Sequence, residues 1–509
     1  MAISYSLPVI RVSASLTVLL VALAPAGCAG PGASGRSSST GGQDQTRYVA
    51  LCEVRGVHQG DAERKQHYLP ARYRADRVDG APPAVPVSDF EDVVATVTGG
   101  RARRIAITGR GGLGKTRAAA VLEARLCTSR PVLRLEVRTQ IIPALNRSDR
   151  ASGEALVSAL EQPTPGAERG IQGLSALLDN EPWILLVDSL DEAPVVVRTR
   201  ILSALDDLLD RYPRGKAVVH TRAPLVQGLT VLSRFETVIE MLPVTCRAAD
   251  ARLRSLIPDP AKLTRFLSVA AAAGLLRKTQ AFGQCSYPHL ATWRDLEVAV
   301  AVLSTVPALP VGTRAALYKA RVGQLLAGLA GLDTAQAVQV VQRMVSSSSS
   351  GHRDFTARDC VVHLDAALAQ DGPAPCAALL QSPLFRFNPR EGTYRLIDES
   401  VVDYFVARGL NRRLGEAGTC APLMPLIGHV ELGEVAAFLL GMPAGAGCAG
   451  TLTNAVCEQL EDPEHIRLLL DQGLPAGPAR SEILPPPGEA PCHRGLVLEL
   501  EEGLTFEAP

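Results

Sequence analysis

The stretch from Ile105 to Thr116 has the residue types and spacing of a phosphate-binding loop. An apolar run leads into a glycine-rich turn, and a helical pattern begins at Lys115. Glycines let backbone N–H groups converge on phosphate oxygens, and the helix dipole directs partial positive charge at the same anion. Lys115 can meet the β- and γ-phosphates, and the Thr116 hydroxyl can bind Mg²⁺. The predicted nucleotide-binding residues here are Gly109, Gly111, Gly112, Gly114, Lys115 and Thr116.

A second site-bearing stretch follows a continuous apolar run, Trp183 to Val187. Such a run is typical of a strand buried on both faces of a parallel sheet, and ligands bind at the carboxyl ends of such strands. Asp188 stands at that end and is the second predicted Mg²⁺ ligand, beside Thr116. Asp191 and Glu192 follow within reach of an attacking water, so both are candidate catalytic bases.

The pattern around these residues predicts an α/β fold. Strands are expected at Leu133 to Val137, Trp183 to Asp188, Ala217 to Thr221 and Val238 to Met241, in addition to the strand before the phosphate loop. Arg222, at the end of one of them, is placed to touch a γ-phosphate. A short helix capped by Ser88 is predicted before the loop, and 139–170 reads as irregular.

The composition sets limits on function and domain number. The chain has 509 residues, with 52 basic and 52 acidic side chains. Because the charges balance, the composition shows no excess of basic residues of the kind that binds nucleic acid. Its length allows two to four domains. Its 11 cysteines show no metal-ligand spacing. If Cys28 carries lipid, the number of other cysteines is even, but an even number does not establish disulfides in a chain of this size. Buried free thiols are therefore expected.

The N-terminus resembles an export signal. Val12 to Ala24 is apolar and is followed by small residues before Cys28, as in a bacterial lipoprotein signal, although Pro25 departs from the usual pattern. Three alternatives stay open: an exporting signal, an uncleaved anchor with the rest of the chain inside, and an extension from a wrong start codon. Charge bias favours membrane attachment near Cys28 with the nucleotide-binding domain facing the cytoplasm.

Taken together, these motifs resemble the NACHT branch of the STAND P-loop NTPases. The phosphate loop looks like its Walker A, Ile184 to Glu192 like its extended Walker B, and His220 to Pro224 like its sensor strand, with Arg222 as the sensor. Tyr287 to Leu290 is similar to the segment whose proline, here Pro288, packs on adenine. Leu309 to Tyr318 resembles a recurrent helix of the family, and Tyr394 to Phe405 resembles its winged-helix end.

The resemblance implies a parallel-sheet P-loop NTPase domain followed by helical and winged-helix domains. The expected segments are a signal or anchor (1–28), a Gly/Ser-rich linker (29–46), a lead-in (47–98), the nucleotide-binding core (99–245), a helical domain (246–345), a winged-helix-like domain (351–410) and a C-terminal helical region (411–509). In the family a histidine near the β-phosphate occupies the position of Asp398, whose carboxylate would repel phosphate.

The function that the resemblance implies is an ATP-dependent signalling switch, with ATP or ADP and Mg²⁺ as cofactors. Hydrolysis is expected to be slow and to reset the switch, and bacterial defence is one role that the resemblance implies. Self-association and an unidentified protein effector are the expected partners. The competing hypothesis is a non-catalytic, membrane-tethered interaction module in which nucleotide is a structural ligand.

Overall fold

The structure is a computed structural model, and it describes thirteen parts of the chain. They are residues 72–76, 88–148, 152–162, 173–222, 234–306, 309, 312–347, 354–364, 374–389, 391–426, 432–459, 463–474 and 492. The predicted signal segment, linker and most of the lead-in lie outside the described residues. None of the helices in the described part combines the length and apolarity that a bilayer crossing needs.

A six-stranded sheet carries the phosphate-binding loop. Its strands are β1 (Tyr73–Asp76), β2 (Arg104–Thr108), β3 (Val132–Glu136), β4 (Ile184–Asp188), β5 (Lys216–Thr221) and β6 (Thr237–Met241), in the order β1-β6-β2-β5-β4-β3. Strands β2 to β6 are parallel, whereas β1 pairs antiparallel with β6 at one edge. The predicted parallel sheet is therefore confirmed for five strands, and the edge strand β1 is an addition.

Alternate residues of the sheet face two hydrophobic cores. Ile105 and Ile107 of β2 pack into one core, and Ala106 between them packs into the other. This alternation follows from strand geometry, in which successive side chains point to opposite faces of the sheet. Because both faces of the sheet are buried, the side chains on both faces have to be apolar. Helices cover the sheet: α1 (Phe90–Gly99), α2 (Lys115–Leu126), α3 (Ile142–Arg147), α4 (Gly153–Glu161), α5 (Leu174–Asn180) and α6 (Val195–Arg211).

The region after the sheet is helical, as predicted, except for one small hairpin. Its helices are α7 (Cys246–Leu256), α8 (Pro260–Ala272), α9 (Trp293–Leu303), α10 (Arg314–Leu325) and α11 (Thr334–Ser347). The hairpin consists of β7 (Thr279–Ala281) and β8 (Gln284–Ser286), and a 3₁₀ turn, Pro288–Leu290, follows it. This turn leads directly into α9.

A second, three-stranded antiparallel sheet follows, in the order β10-β11-β9. Its elements are β9 (Asp354–Phe355), α12 (Ala357–Val362), α13 (Ala374–Leu380), β10 (Phe385–Asn388), β11 (Thr393–Leu396) and α14 (Glu399–Ala417). The sequence pattern predicts a small hairpin at Phe385 to Leu396 and a helix from Glu399 to Leu410. The hairpin is confirmed, and the helix runs seven residues further, to Ala417. Four C-terminal helices complete the fold: α15 (Leu432–Leu439), α16 (Pro443–Ala446), α17 (Ala449–Gln459) and α18 (Pro463–Gly473). The winged-helix assignment stays a prediction.

Two local predictions are wrong. Helix α1 is capped by Asp89 rather than Ser88: Asp89 Oδ1 accepts from the Asp92 N–H at 3.0 Å, while the Ser88 hydroxyl donates to Asp92. The stretch 139–170 is not irregular, because it contains α3 and α4. The first N–H of α4 donates to the carboxylate of Asp207 on α6 at 2.6 Å, a tertiary cap that no local pattern reveals.

The expectation of buried free thiols is also wrong. Disulfides join Cys246 to Cys285, Cys360 to Cys376, Cys420 to Cys448 and Cys457 to Cys492, with Cα–Cα distances of 5.4, 5.8, 5.7 and 5.6 Å. Cys127 is disulfide-bonded as well. Scattered cysteines gave no signal in the sequence because each pair is brought together only by the tertiary fold.

Candidate functional site

The phosphate loop lies between the end of β2 and the start of α2. Gly112 and Gly114 have φ values of 81° and 96°, in the left-handed region that other residues adopt at a cost. A Cβ at Gly112 would also stand 2.6 Å from Cβ of Arg294. Gly114 is the N-cap of α2 and supplies no side-chain cap, so the first N–H groups of α2 suit an anion. The loop therefore fits a bound phosphate group.

Lys115 reaches back along this loop. Its Nζ donates to the carbonyl oxygens of Gly109 at 2.8 Å and Arg110 at 3.2 Å. Burial lowers the pKa of Lys115, and the carboxylates of Asp191 and Asp188 act against that effect. The ammonium group thus stands inside the loop, where a phosphate oxygen would be a better partner than these neutral carbonyls.

The two predicted metal ligands lie together. The Thr116 hydroxyl donates to Asp188 Oδ1 at 3.2 Å, and Asp188 is 2% exposed at the end of β4. Among the described residues no group of three or more His, Cys, Asp or Glu side chains could hold a metal ion. Mg²⁺ commonly uses one or two carboxylates together with waters and phosphate oxygens, so the Thr116–Asp188 pair is a sufficient protein contribution.

Asp188 has a partner that sequence reasoning missed. Arg134, in β3, donates from Nη2 to Asp188 Oδ2 at 2.6 Å. The signal was present, because Arg134 sits between two buried leucines on a strand where a charged residue needs a counter-charge. Ser189, next along the chain, adopts a left-handed conformation at φ 66°. A non-glycine residue in that conformation stores strain of the kind found at ligand sites.

The two candidate bases point to different partners. Asp191 and Glu192 lie on a 3₁₀ turn, Leu190–Glu192, directly after β4. Asp191 Oδ2 is 3.2 Å from Nε of Arg222, whereas Glu192 pairs with Arg395 on β11. Burial would raise the pKa of Asp191, but the charges of Lys115 and Arg222 outweigh it and hold this pKa below its ordinary value. Asp191 is therefore the acid that faces the phosphate loop.

Arg222 connects the sheet to α14. Its Nη1 is 3.0 Å from Asp403 Oδ2, and its Nη2 is 3.7 Å from Glu399 Oε2. The guanidinium also lies over the phosphate loop, since a Cβ at Gly111 would be 3.6 Å from Nη2. The same Cβ would be 3.5 Å from Oγ of Ser400 at the start of α14. Arg222 is thus shared between the loop, Asp191 and α14.

Arg110, a variable position of the motif, is buried against the C-terminal helices. Its Nε and Nη2 donate to Glu434 of α15 at 2.7 and 3.0 Å, and Nη2 also donates to Gln472 of α18 at 2.6 Å. Glu434 accepts a further hydrogen bond from Arg314 at 2.6 Å. Burial would raise the pKa of Glu434, but Arg110 and Arg314 hold it well below its ordinary range. This charged cluster ties the loop to the C-terminal region.

Pro288 and Asp398, the two positions carried over from the resemblance, are both described in the structure. Pro288 is buried in its 3₁₀ turn, against which α18 packs, and the Arg294 N–H donates to the Gly112 carbonyl at 3.3 Å. Asp398 caps α14 and accepts from Arg294 Nε at 2.8 Å. The negative charge of Asp398 is therefore compensated within the protein. Both Arg294 and Asp398 line a cavity of about 180 Å³ with Tyr318 and Arg321.

Fold and site together have the arrangement of a P-loop NTPase fold. The class rests on three features: a phosphate loop that joins β2 to α2, an acid at the tip of β4, and an arginine at the end of the intervening strand β5. Strand β2 lies between β5 and β6 in a parallel sheet, so these groups meet at one edge.

Comparison with known proteins adds no family. No protein-family profile and no curated protein sequence matches the chain. Among solved structures it is similar to the Thermotoga maritima RuvB Holliday junction branch migration motor, with 14% identity over 60% of this chain and 90% of that one and a TM-score of 0.25. The Aeropyrum pernix Orc1 protein in complex with DNA gives 14% identity, coverages of 63% and 92%, and a TM-score of 0.29. Likenesses at these TM-scores assign neither a family nor an activity.

Proposed function

We propose that the protein is a nucleotide-dependent conformational switch of the NACHT/STAND type. Lys115, the loop N–H groups and the start of α2 would hold the phosphates of ATP or ADP, and Thr116 and Asp188 would hold Mg²⁺. Bound nucleotide with Mg²⁺ supplies the γ-phosphate whose presence or absence the protein distinguishes. Pro288 remains the proposed neighbour of the base. These assignments rest on the motif and on the side chains that the fold brings together.

The observation that carries the proposal is the sharing of Arg222. This guanidinium lies over the phosphate loop, yet it is bound to Asp191 and to Asp403 of α14. A γ-phosphate at the loop would compete with both carboxylates for it. Asp403 is 2% exposed, so weakening its bond to Arg222 is unfavourable at this buried position. Movement of α14 relieves that cost, so occupancy of the loop and the position of α14 are coupled.

Arg110 provides a second connection between the loop and the C-terminal region. The loop cannot change shape around Arg110 without altering its bonds to Glu434 and Gln472. A change in the loop would therefore alter contacts with two separate parts of the chain. One part is α14, and the other is the pair α15 and α18. Such coupling is expected of a switch and serves no purpose in a simple hydrolase.

Slow hydrolysis is part of the proposal. Asp191 or Glu192 would orient and deprotonate the attacking water, with Arg222 stabilising charge on the γ-phosphate. In this arrangement Glu192 is bound by Arg395 and Asp191 by Arg222, so neither acid acts as a base until β11 or α14 moves. The same pairing supports the second candidate, a non-catalytic module that binds nucleotide without cleaving it.

Titration calorimetry with MgATP and MgADP tests the proposal, combined with hydrogen exchange of α14. Nucleotide should raise exchange in α14, and Asp403→Asn should bind MgATP more tightly because one of the carboxylates that compete with the γ-phosphate for Arg222 is neutralised. The matched control is Lys262→Ala, whose side chain is 79% exposed and far from the loop in sequence. Tight nucleotide binding without any change in α14 exchange refutes the switch and leaves the nucleotide as a scaffold.

Self-association and an effector complete the proposal. A conformational switch acts through a partner that reads one of its states. Light scattering of the full chain with MgATP, MgADP and no nucleotide measures whether assembly follows the nucleotide. An identical mass in all three conditions excludes nucleotide-controlled self-association and leaves a separate effector as the partner.

A further inference from the structure

We infer that the folded protein lies on the oxidising side of a membrane. The inference goes beyond the proposed function and concerns where the site works. Its basis is the state of the cysteines: all nine in the described part of the chain are disulfide-bonded. Eight of them form four pairs with each other, and Cys127 is the ninth.

The remaining two of the 11 cysteines are Cys28 and Cys52. Both lie outside the described residues. Disulfides are rare in proteins that stay in a reducing cytoplasm, whereas every cysteine in the described part of this chain is bonded.

The pairs are part of the packed structure. Cys360 and Cys376 are 0% and 1% exposed, and the Cys246–Cys285 bond joins the start of α7 to β8, just before the Pro288 turn. A buried disulfide such as Cys360–Cys376 resists reduction by small thiols and is structural rather than catalytic. Such a bond therefore indicates the compartment in which the chain folded.

The N-terminal sequence points the same way independently. Its apolar segment before Cys28 has the composition of an export signal, one of the alternatives that the sequence left open. Charge bias alone had favoured a cytoplasmic nucleotide-binding domain, but that bias rests on few arginines. The nine bonded cysteines of the described residues favour export, with Cys28 as the lipid-bearing residue at the outer face of a membrane.

This location bears on the ligand. A site in an oxidising compartment can bind only phosphate-bearing molecules that are exported or released into that compartment. The cytoplasmic ATP pool does not supply it. Hydrolysis at such a site is limited by that supply, which agrees with the slow turnover of the proposed switch and also with a module that only retains a nucleotide.

The test is to trap thiols in living cells that express the full chain. Cells are lysed in excess alkylating agent, and non-reduced peptides are analysed by mass spectrometry. The expected result is four cross-linked peptide pairs, a further cross-link at Cys127, and no alkylation at the nine cysteines. Alkylation of both members of any two pairs in the parent protein overturns the inference.

A matched variant controls for spontaneous oxidation. Leu19→Arg with Leu20→Arg blocks an apolar export signal and leaves every cysteine in place. This variant should be alkylated at the cysteines or degraded, and the parent should be digested by protease added to spheroplasts. The same cross-links in the blocked variant, or a parent protected in spheroplasts, contradicts the inference. Calorimetry with MgATP on the purified parent is independent of these outcomes, so failure of the proposed function is seen separately.

Discussion

Replacement of Glu434 by Gln should destabilise the protein by about 3 kcal/mol, since removing one member of a buried ion pair costs roughly 3–5 kcal/mol. Glu434 serves two guanidinium groups, Arg110 and Arg314. Each keeps another partner in the variant: Arg314 retains Asp295 at 3.0 Å, and Arg110 retains Gln472 at 2.6 Å. These residual bonds place the expected cost at the lower end of the range.

The assay is urea unfolding in non-reducing buffer, followed by tryptophan fluorescence. One of the two tryptophans, Trp293, lies on α9 two residues before Asp295, so it reports on the module that contains the cluster. A chain of several domains need not unfold in one step, and the transition to compare is therefore the one that Trp293 reports.

The matched control is Glu416→Gln. Glu416 pairs with Arg412 at 3.7 Å, but the two side chains are 66% and 61% exposed. Exposed pairs of this kind contribute about 0.5 kcal/mol or less. If Glu434→Gln shifts the transition no more than Glu416→Gln does, the buried cluster does not hold the C-terminal helices to the loop.

Acid should reduce the difference between parent and Glu434→Gln. The pKa of Glu434 is held well below its ordinary value of 4.5, so its contribution is complete above 4.5 and is lost as the pH falls towards the folded value. The two unfolding curves should thus converge below about pH 4.5, whereas parent and Glu416→Gln should stay together throughout.

Three further predictions concern single side chains. Lys115→Ala should weaken nucleotide binding by about 2–3 kcal/mol in calorimetry, because a charge-assisted phosphate contact is lost, and equal affinity would count against the phosphate-loop assignment. Glu192→Gln should still bind MgATP and slow any single-turnover hydrolysis by about 10²–10⁴-fold, unless Asp191 is the base. Burial lowers the pKa of His220 from 6.5 to about 4, so the unfolded chain binds the proton first and stability should fall between pH 7 and pH 5, by about 2 kcal/mol. His220→Leu should lack that pH dependence, and parallel pH profiles for the two proteins would refute it.

The sheet and its site could be predicted from local patterns. A strand buried on both faces has to be apolar throughout. The apolar run from Trp183 to Val187 therefore predicted β4, with Asp188 at its carboxyl end. The glycine-rich turn predicted the phosphate loop in the same way. Its backbone has positive φ values at Gly112 and Gly114, a conformation that favours glycine. Both signals are contained in fewer than a dozen neighbouring residues.

The partners of these residues could not be predicted. Arg110 and Glu434 are 324 positions apart, and Arg222 and Asp403 are 181 positions apart. A charged residue in the sequence is usually a solvated one, so nothing marked these four as buried. The same holds for the cysteines and for the cap that Asp207 provides to α4. Each of these contacts joins segments that are distant in the sequence, and the residues next to each partner give no sign of the contact.

The positions of the disulfides have a mechanical consequence. Cys246–Cys285 closes a loop inside 246–345, Cys360–Cys376 lies inside 351–410, and the two remaining pairs lie inside 411–509. These four covalent links each stiffen one region. The regions are joined to each other by ion pairs around Arg110 and Arg222 and by a shared hydrophobic core that includes Ile105 and Leu470. Pulling the chain by its ends should therefore separate the regions while the four disulfide-closed loops stay short. Adding a reductant should lengthen each opened region without changing the force at which the regions separate.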